Sequence, residues 1–499
     1  MNHSTKGKEN VDFASVIIIQ EEMAEIKTCP YVKKCGACRT IGQDYEKTLE
    51  EKRAKLDDLL RPVVRVPEIV GMEDPYHYRN KVHWAFQVVY DGHRLRHEAG
   101  IYKEGTHKVV PIRECLIEDE EADAIMRDIL LIARKYKMKI YDEDTGEGLL
   151  RHVLIRTAHA TGQIMVVLVL ASPVMPGKNN FVKILRAKHP GIETIVINVN
   201  KEKTSMILGE RESNAYGKGW IEDELCGKRF RISSKSFYQV NSVQTEKLYR
   251  QAIEYAHLNG HETVVDAYCG IGTIGICAAH GAERVIGIEQ NEDAVRDAEI
   301  NAKQNNVKNI AFVNADAGEY LTDLAEEHKK TDVILLDPPR QGATEDFLAA
   351  AVRTNPGRIV YISCGPESLL RDLKWLKKHG YKAKEAKAFD LFPFTDHVET
   401  VVLLSQQKPD DHIEIEINLD EIDATSAETK ATYKEIEEWV HKHYGFHVTN
   451  LNIAQVKQKH GIIERENYNK PKSENSRQPG CPEEKVKAIE EALKHFQMI

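Results

Sequence analysis

The chain contains no long hydrophobic run. None of its 499 residues belongs to an uninterrupted apolar stretch of the ~18 residues that a membrane-spanning helix needs. The longest apolar stretch near the start, Val16–Ile19, is too short for the core of a signal peptide and lies close to acidic residues. We therefore expect no membrane association and a cytoplasmic location.

Cysteine is also scarce, with nine residues at uneven spacing. Because nine is an odd number, the thiols cannot all pair, and the spacing does not suggest a disulfide framework. The sequence instead predicts reduced thiols, some of which serve a metal or catalysis.

Basic residues are missing from one segment, residues 409–429. This segment contains eight acidic residues and no lysine or arginine, whereas the whole chain has a net charge of -9. The remaining residues therefore carry a net charge of about -1 and can still present basic faces to phosphate groups. The negative total does not exclude binding of a nucleic acid.

Composition and periodicity divide the chain into five regions. These are a short leader (1–28), a cysteine cluster followed by many short strands (29–240), an alternation of helices and apolar strands (241–405), an acidic linker (406–430) and a helical extension (431–499).

The third region predicts an α/β fold, a doubly wound and mostly parallel sheet. Its strand candidates are Val264–Ala267, Val285–Ile288, Ile310–Val313, Val333–Leu336, Ile359–Ile362 and Val398–Leu404. In the helical extension, Thr432 and Glu435 have capping-box spacing, Thr449 is a candidate cap for a second helix, and Pro482 opens a final helix.

A glycine-rich turn follows the first strand of the third region. Gly270, Gly272 and Gly275 fit the pattern G-x-G-x-x-G between a strand and a helix. This pattern alone is compatible with a dinucleotide such as NAD, or with a close strand–helix turn that binds nothing.

Acidic residues end three successive strands at the edge where open α/β sheets bind ligands. Asp266 can hold an ammonium group, Glu289 can accept from both ribose hydroxyls, and Asp316 can accept from the adenine amine. Because NAD offers no ammonium group for Asp266, the three acids together favour S-adenosylmethionine.

A cysteine and a carboxylate approach the same edge. Cys364 ends the fifth strand, and Glu399 follows a proline-containing loop. Carbon 5 of uracil is too weak a nucleophile to take a methyl group unaided. A thiolate that adds to carbon 6 activates it, and a base must then remove the carbon-5 proton. A thiol that acts at neutral pH needs a lowered pKa.

Three other functions remain open on the residues alone. Asp337-Pro-Pro could polarise an exocyclic amine, which would make the chain a different nucleic-acid methyltransferase without a role for Cys364. The glycine pattern permits an NAD-linked oxidoreductase. A noncatalytic RNA-binding factor could also retain this fold.

Six motifs, taken together, resemble those of the RNA m5U methyltransferases, particularly the 23S rRNA (uracil-5-)-methyltransferases. The motifs are Tyr78-Arg-Asn-Lys81, Ser236-Phe-Tyr-Gln-Val-Asn241, Asp266-Ala-Tyr-Cys-Gly-Ile-Gly272, Asp337-Pro-Pro-Arg340, Tyr361-Ile-Ser-Cys364 and His397-Val-Glu399. They occur in the family's order between about residues 29 and 405.

The resemblance implies that residues 29–240 form a central RNA-binding domain with an iron–sulfur cluster. It implies that residues 241–405 form a class I, Rossmann-like S-adenosylmethionine-dependent methyltransferase domain, the catalytic domain, which methylates uridine in RNA. It implies 23S rRNA or a ribosome assembly intermediate as partner, with tRNA as the alternative, and no obligate protein partner. Cys364 is implied as the nucleophile and Glu399 as the base, and Phe237 helps to place a flipped uridine. The implied cofactor residues are Gln239, which also faces the base, together with Tyr268, Thr273, Glu289, Asp316 and Asp337.

This chain departs from the family pattern at both ends. Many members carry an N-terminal RNA-binding barrel, for which the 28 residues before Cys29 are too few, and the extension after about residue 406 lies outside the pattern. RNA contact is expected instead around the cysteines, where basic residues such as Lys33, Arg79 and Lys103 interleave with aromatic residues.

Four cysteines form a candidate metal site. Cys29, Cys35 and Cys38 lie within ten residues, and Cys115 follows far downstream. On ligand type alone, four thiolates suit zinc or an iron–sulfur cluster. The resemblance implies a [4Fe-4S] cluster, because the rRNA-modifying members of the family share this spacing.

Overall fold

The computed structural model of the chain describes residues 26–90, 92–143, 145–202, 206–407, 431–460, 462, 481–496 and 498–499. The chain divides into two compact units, one up to Asp411 and one from His412. Most of the predicted leader and most of the acidic linker lie outside the described residues. Among the residues described, no helix has the length and apolar character that crossing a membrane requires.

An eight-stranded sheet forms the centre of the predicted catalytic region. Its strands are β1 (Ile69–Val70), β11 (Thr263–Ala267), β12 (Arg284–Glu289), β13 (Ile310–Asn314), β14 (Val333–Leu336), β15 (Arg358–Ser363), β16 (Tyr381–Phe389) and β17 (Glu399–Gln406). Their order is β1-β16-β17-β15-β14-β11-β12-β13. The five strands from β15 to β13 are parallel, and β17 is antiparallel to both of its neighbours. The predicted doubly wound, mostly parallel sheet is confirmed.

Six helices accompany the strands of this sheet. They are α5 (Ser242–Ala256), α6 (Thr273–Ala278), α7 (Glu292–Gln304), α8 (Ala317–Glu326), α9 (Glu345–Arg353) and α10 (Pro366–Lys378), with a short 3-10 turn at Ala279–Gly281. Apolar clusters cover both faces of the sheet. This explains the uninterrupted apolar sequence of β14, whose four residues are all buried.

The chain's first described segment packs against the catalytic sheet. It contains α1 (Val32–Cys35) and the longer α2 (Tyr45–Leu60), and β1 follows and pairs with β16. Asp44 caps α2 by accepting from the Lys47 amide at 2.8 Å. Leu56 and Leu60 are buried in the apolar cluster on one face of the catalytic sheet. Residues before position 70 therefore contribute directly to the core of the catalytic region.

A second sheet of seven strands occupies most of residues 80–216. Its strands, in the order β4-β3-β2-β5-β6-β7-β8, are β2 (Lys81–Tyr90), β3 (Leu95–Tyr102), β4 (Val109–Pro111), β5 (Leu150–Thr157), β6 (Ile164–Leu170), β7 (Ile192–Val199) and β8 (Arg211–Tyr216). Helices α3 (Glu120–Lys135) and α4 (Lys178–Lys188) belong to the same region. Buried residues of α3 recur at helical spacing, including Ala122, Ile125 and Ile129, and they form one apolar cluster with the sheet.

A hairpin leads from the second sheet to the catalytic region. It consists of β9 (Trp220–Leu225) and β10 (Lys228–Ser233), joined at Cys226 and Gly227, both of which have positive φ. Ile221, Phe230 and Ile232 of the hairpin are buried in the same apolar cluster as residues of the catalytic sheet. The segment that follows β10 is therefore anchored close to the carboxyl edge of that sheet.

The C-terminal unit contains three described helices: α11 (Tyr433–Tyr444), α12 (Asn450–Lys459) and α13 (Glu483–His495). The capping box of Thr432 and Glu435 is present, and Thr449 caps α12, as predicted. Pro482 immediately precedes α13. Ile436, Ile453 and Ile489 belong to an apolar core that the three helices share.

Candidate active site

A cleft of ≈ 620 Å³ opens at the carboxyl ends of the parallel strands. Such a volume suits a small-molecule site. Nine of the residues predicted for catalysis, cofactor and base binding line it: Phe237, Gln239, Tyr268, Gly270, Thr273, Glu289, Asp337, Cys364 and Glu399. Gly272 and Asp316 are next in sequence to residues of this lining, and Asp266 accepts a hydrogen bond from the Gly275 amide. None of these three belongs to the lining itself. The fold therefore brings together side chains from residues 237 to 399.

The glycine turn places a helix N-terminus against the first strand. Gly270 and Gly272 have φ values of 54° and 79°, a conformation that favours glycine. The Gly275 amide in α6 donates to Asp266 Oδ2 at 2.8 Å. A Cβ at position 275 would lie 2.7 Å from the same oxygen, so only glycine permits this close approach. Backbone amides at the start of α6 thus face the end of β11.

Three carboxylates concentrate negative charge around the cleft. Burial raises the pKa of Asp266 to about 7, with contributions from Asp337 and Glu289, and burial likewise raises that of Asp337 to about 7. Asp266 Oδ1 is buried and has no hydrogen-bond partner within the described part of the chain. A cationic ligand would favour the ionised carboxylates and would give Asp266 Oδ1 a partner. The residues present therefore fit the ammonium and sulfonium groups of S-adenosylmethionine.

The carboxylates of Glu289 and Asp316 accept hydrogen bonds from backbone amides of the protein. Glu289 Oε2 accepts from the Gly270 amide at 3.1 Å, which ties the end of β12 to the glycine turn. Asp316 caps α8, since its Oδ1 accepts from the Gly318 and Glu319 amides. Its Oδ2 accepts from Gln290. The structure thus gives Asp316 a capping role that the sequence analysis did not predict.

Cys364 and Glu399 come together because β15 and β17 are neighbours. Ser363 pairs with Thr400 in that antiparallel ladder, so the residues that follow β15 and begin β17 are adjacent. Cys364 is half-buried, and Glu399 is buried, with 4% of its surface exposed. The sequence placed these two groups at one sheet edge, and the register puts them side by side.

The electrostatic environment opposes ionisation of both groups. Burial, followed by the nearby Glu399 and Asp337, raises the pKa of the Cys364 thiol to about 11. Burial and Asp337 raise the pKa of Glu399 well above its ordinary value. The protein's own groups therefore do not provide the lowered thiol pKa that the sequence analysis required. The physical reason is that the negative charge suited to a cationic ligand also disfavours a thiolate.

Arg340 and His397 are further residues of the site, to which the sequence analysis assigned no role. Arg340 Nη2 lies 3.2 Å from His397 Nδ1, and its charge lowers the pKa of both Cys364 and Glu399. Burial, followed by Arg340, lowers the pKa of His397, so a neutral imidazole accepts from the guanidinium. Both residues stand in motifs noted in the sequence, but their contact joins positions 57 residues apart.

The segment that carries Phe237 and Gln239 is held from the second sheet. Asn80 Nδ2 donates to the Gln239 carbonyl at 3.0 Å, and the Asn80 amide donates to that of Val240 at 2.8 Å. The fully buried Arg156 donates to the Ser236 carbonyl. Phe237 is 67% exposed although it lines the cleft. An exposed ring on a fixed backbone offers a surface on which a base can stack.

The model of the tRNA (uracil-5-)-methyltransferase family matches residues 44–407. The chain belongs to this family. It is an S-adenosylmethionine-dependent RNA methyltransferase, as the resemblance implied.

Curated relatives and a solved structure extend this finding. An uncharacterized RNA methyltransferase of Clostridium acetobutylicum is 40% identical over 385 residues, which cover 76% of this chain and 83% of that protein. One of Listeria innocua is 38% identical over 408 residues, covering 80% and 89%. The tRNA (uracil-54, C5)-methyltransferase of Pyrococcus abyssi, solved with S-adenosyl-L-homocysteine, is 29% identical. It covers 76% of this chain and 87% of its own, with a TM-score of 0.61.

The four candidate ligand cysteines of this methyltransferase occupy one region. Burial, together with the neighbouring thiols of Cys35 and Cys29, raises the pKa of Cys38 to about 12. Cys38 and Cys115 both pack against the small apolar cluster of Tyr78, Ile117 and Phe394. However, in the described part of the chain no group of three or more His, Cys, Asp or Glu side chains has the arrangement of a metal-ion site. The predicted cluster is therefore not supported at the level of ligand geometry.

Proposed function

We propose that this chain methylates carbon 5 of a uridine in RNA, with Cys364 as nucleophile and Glu399 as base. The single observation that carries the proposal is the convergence of a thiol, a carboxyl group and an exposed aromatic ring on the cleft that also contains the glycine turn. Membership of the uracil-5-methyltransferase family supports the same reaction.

At the base, two single bonds form and two break, and the carbon 5–carbon 6 double bond opens and re-forms. The Cys364 thiolate adds to carbon 6, and the electron pair of the carbon 5–carbon 6 double bond moves into an enolate. When bound, S-adenosylmethionine would supply the methyl group of its sulfonium to carbon 5 of the enolate. Glu399 then removes the carbon-5 proton, the double bond re-forms, and the thiolate leaves carbon 6.

Each protein group has a defined task in this sequence. Arg340 opposes the rise in the pKa of Cys364 and Glu399, which helps both groups to ionise. Glu399 lies buried and away from bulk water, where it can take a proton directly from the base. Phe237 and Gln239 hold the uridine after it has left its RNA stack.

We propose 23S rRNA as the substrate, on the basis of the cysteine spacing shared with the rRNA-modifying members of the family. tRNA is the second candidate, because the solved relative at 29% identity acts on uracil 54 of tRNA. Mapping of 5-methyluridine in RNA from cells with and without this protein decides between them. Loss of the modification from 23S rRNA alone supports the first candidate, and its loss from tRNA alone supports the second.

We also propose that Cys29, Cys35, Cys38 and Cys115 hold a [4Fe-4S] cluster. In favour of this, Cys29 lies close enough to contribute to the raised pKa of Cys35 and Cys38, and Cys38 shares an apolar neighbourhood with Cys115. Anaerobic purification should yield iron and sulfide in equal amounts, whereas stoichiometric zinc without sulfide would reject the cluster.

The covalent step is tested by trapping the protein–RNA adduct. Unmodified transcripts of 23S rRNA and of tRNAs are incubated with the protein and S-adenosylmethionine, and denaturing gels reveal any stable adduct. Glu399→Gln should accumulate an adduct that carries the methyl group, and Cys364→Ser should form none. Cys481→Ala, in the C-terminal unit, is the matched control. Methyl transfer by Cys364→Ser at the wild-type rate would exclude the mechanism.

A further inference from the structure

The loop between β16 and β17, residues 390–398, leads directly into the proposed base Glu399. Six of its nine backbone carbonyls accept hydrogen bonds from side chains or amides elsewhere in the chain. Each donor and the residue whose carbonyl accepts from it are as follows: Gln244 Nε2 and Asp390, Asn241 Nδ2 and Leu391, Lys52 Nζ and Phe392, Tyr78 Oη and Pro393, the Arg39 and Thr40 amides and Phe394, and Lys52 Nζ and His397. The loop is therefore held in one conformation by groups that do not belong to it.

Lys52 is the donor that connects the two ends of this loop. Its Nζ lies 2.7 Å from Asp390 Oδ1, 3.2 Å from the Phe392 carbonyl and 3.0 Å from the His397 carbonyl. An ammonium group has three protons, so these three acceptors use its full donor capacity. The side chains of Lys52 and Asp390 are 10% and 1% exposed. A single buried cation thus closes the loop into a compact turn.

The two carbonyls that Lys52 binds lie next to the chemistry. Phe392 lines the cleft, and His397, which contacts Arg340, is two residues before Glu399. Lys52 itself does not line the cleft and projects from α2, outside the parallel sheet. Its contacts with the site are therefore those that it makes with the loop, through two backbone carbonyls and the Asp390 side chain.

We propose that Lys52 is a positioning residue that fixes Glu399 relative to the carbon-5 proton. The inference rests on the proposed role of Glu399 as base. A displacement of about 1 Å in a reacting group can reduce the rate about 10²-fold. Release of the loop should slow removal of the proton, which follows methyl transfer, more than it affects binding of the cofactor.

A simpler role for Lys52 is to neutralise the buried Asp390. Tyr45 Oη also donates to Asp390 Oδ2 at 3.0 Å, so this carboxylate belongs to a buried polar network. Removing one partner of a buried ion pair destabilises a protein, whereas removing both charges is often tolerated. The two roles therefore differ in what the double substitution does. Neutralisation predicts recovery of activity, and positioning of the loop does not.

The experiment compares Lys52→Met, Asp390→Asn, the double variant and wild type as full-length protein. The control is Lys55→Met, which removes an exposed lysine of the same helix. Melting temperature, affinity for S-adenosylhomocysteine, and the formation and decay of the covalent adduct on unmodified 23S rRNA and tRNA transcripts are measured for each. The ratio of accumulated adduct to released product is the readout that a purely structural role would not change.

We expect Lys52→Met and the double variant to accumulate adduct and to release product about 10²-fold more slowly than wild type. The double variant should recover thermal stability but not product release, and affinity for S-adenosylhomocysteine should change less than threefold in it. Asp390→Asn should retain more activity than Lys52→Met, because Lys52 can still bind both carbonyls.

Two outcomes overturn the inference. If the double variant regains wild-type product release, Lys52 acts only as the charge partner of Asp390. If Lys52→Met and the double variant both turn over adduct at the wild-type rate, the loop does not need Lys52. Absence of an adduct both in wild type and in Glu399→Gln would instead reject the proposed function. That result differs from the two outcomes above, in which an adduct forms.

Discussion

Asp266 and Gly275 are joined by a hydrogen bond of 2.8 Å from the Gly275 amide to the carboxylate, across the turn that separates β11 from α6. The approach is so close that a methyl group at position 275 would lie 2.7 Å from Asp266 Oδ2. The third glycine of the turn is thus required by its contact with the acid at the strand end.

Substitution Gly275→Ala should displace the Asp266 carboxylate while leaving the helix intact, since the φ of Gly275 is not positive. Overpacking of this kind costs about 1–3 kcal/mol. We expect affinity for S-adenosylhomocysteine to fall about tenfold, as measured by calorimetry. Gly357→Ala is the control, because its Cβ would meet only the Asp332 carbonyl at an ordinary 3.7 Å. Unchanged affinity in Gly275→Ala would contradict the assignment of Asp266 to the cofactor.

The affinity for the cofactor should rise with pH. The pKa of Asp266 is raised to about 7, chiefly by burial, so its carboxylate becomes ionised as the pH rises through that value. A ligand with an ammonium group binds the ionised form better, so affinity for S-adenosylhomocysteine should increase between about pH 6 and pH 8. Asp266→Asn should weaken binding and make this dependence shallower, with Asp337 still titrating. Asp293→Asn, an exposed position, should behave as wild type.

The reactivity of Cys364 should increase steeply with pH. Its thiol has a pKa raised to about 11, so the thiolate fraction grows about tenfold per pH unit through the neutral range and above it. Alkylation by iodoacetamide, followed at the Cys364 peptide by mass spectrometry, should show this slope between about pH 7 and pH 10. Glu399→Gln should react faster at the pH values where Glu399 is ionised, because a neighbouring negative charge is removed. A plateau below about pH 8 would contradict this environment.

The cap of α11 offers a test in the C-terminal unit. Thr432 Oγ1 accepts from the Glu435 amide at 3.3 Å, and the Thr432 amide donates to the Glu435 carboxylate at 2.7 Å. Thr432→Ala should destabilise this helix by about 0.5–2 kcal/mol. Faster hydrogen exchange at residues 433–436 of the full-length protein would show it, whereas Thr432→Ser, which keeps the hydroxyl, should exchange as wild type does.

Strand β16 shows where local pattern and final structure disagree. The segment Tyr381–Phe389 is rich in alanine, lysine and glutamate, and the sequence analysis predicts no strand there. It nevertheless pairs with β17 on one side and β1 on the other, with an irregularity between Ala383 and Glu385. Tertiary pairing overrides local propensity, because the sheet supplies the hydrogen-bond partners that the segment's own composition does not suggest.

The sequence by itself determined the parallel sheet, the glycine turn and the location of Cys364 and Glu399 at strand ends, because these depend on local periodicity and on residues close together along the chain. Only the tertiary structure decided the capping role of Asp316, the contact of Arg340 with His397 and the hydrogen bonds from Lys52 to the loop before Glu399. It also raised the pKa of the Cys364 thiol, whereas thiolate chemistry at neutral pH requires a lowered one. Burial and charge come from residues distant in sequence, so no local pattern records them.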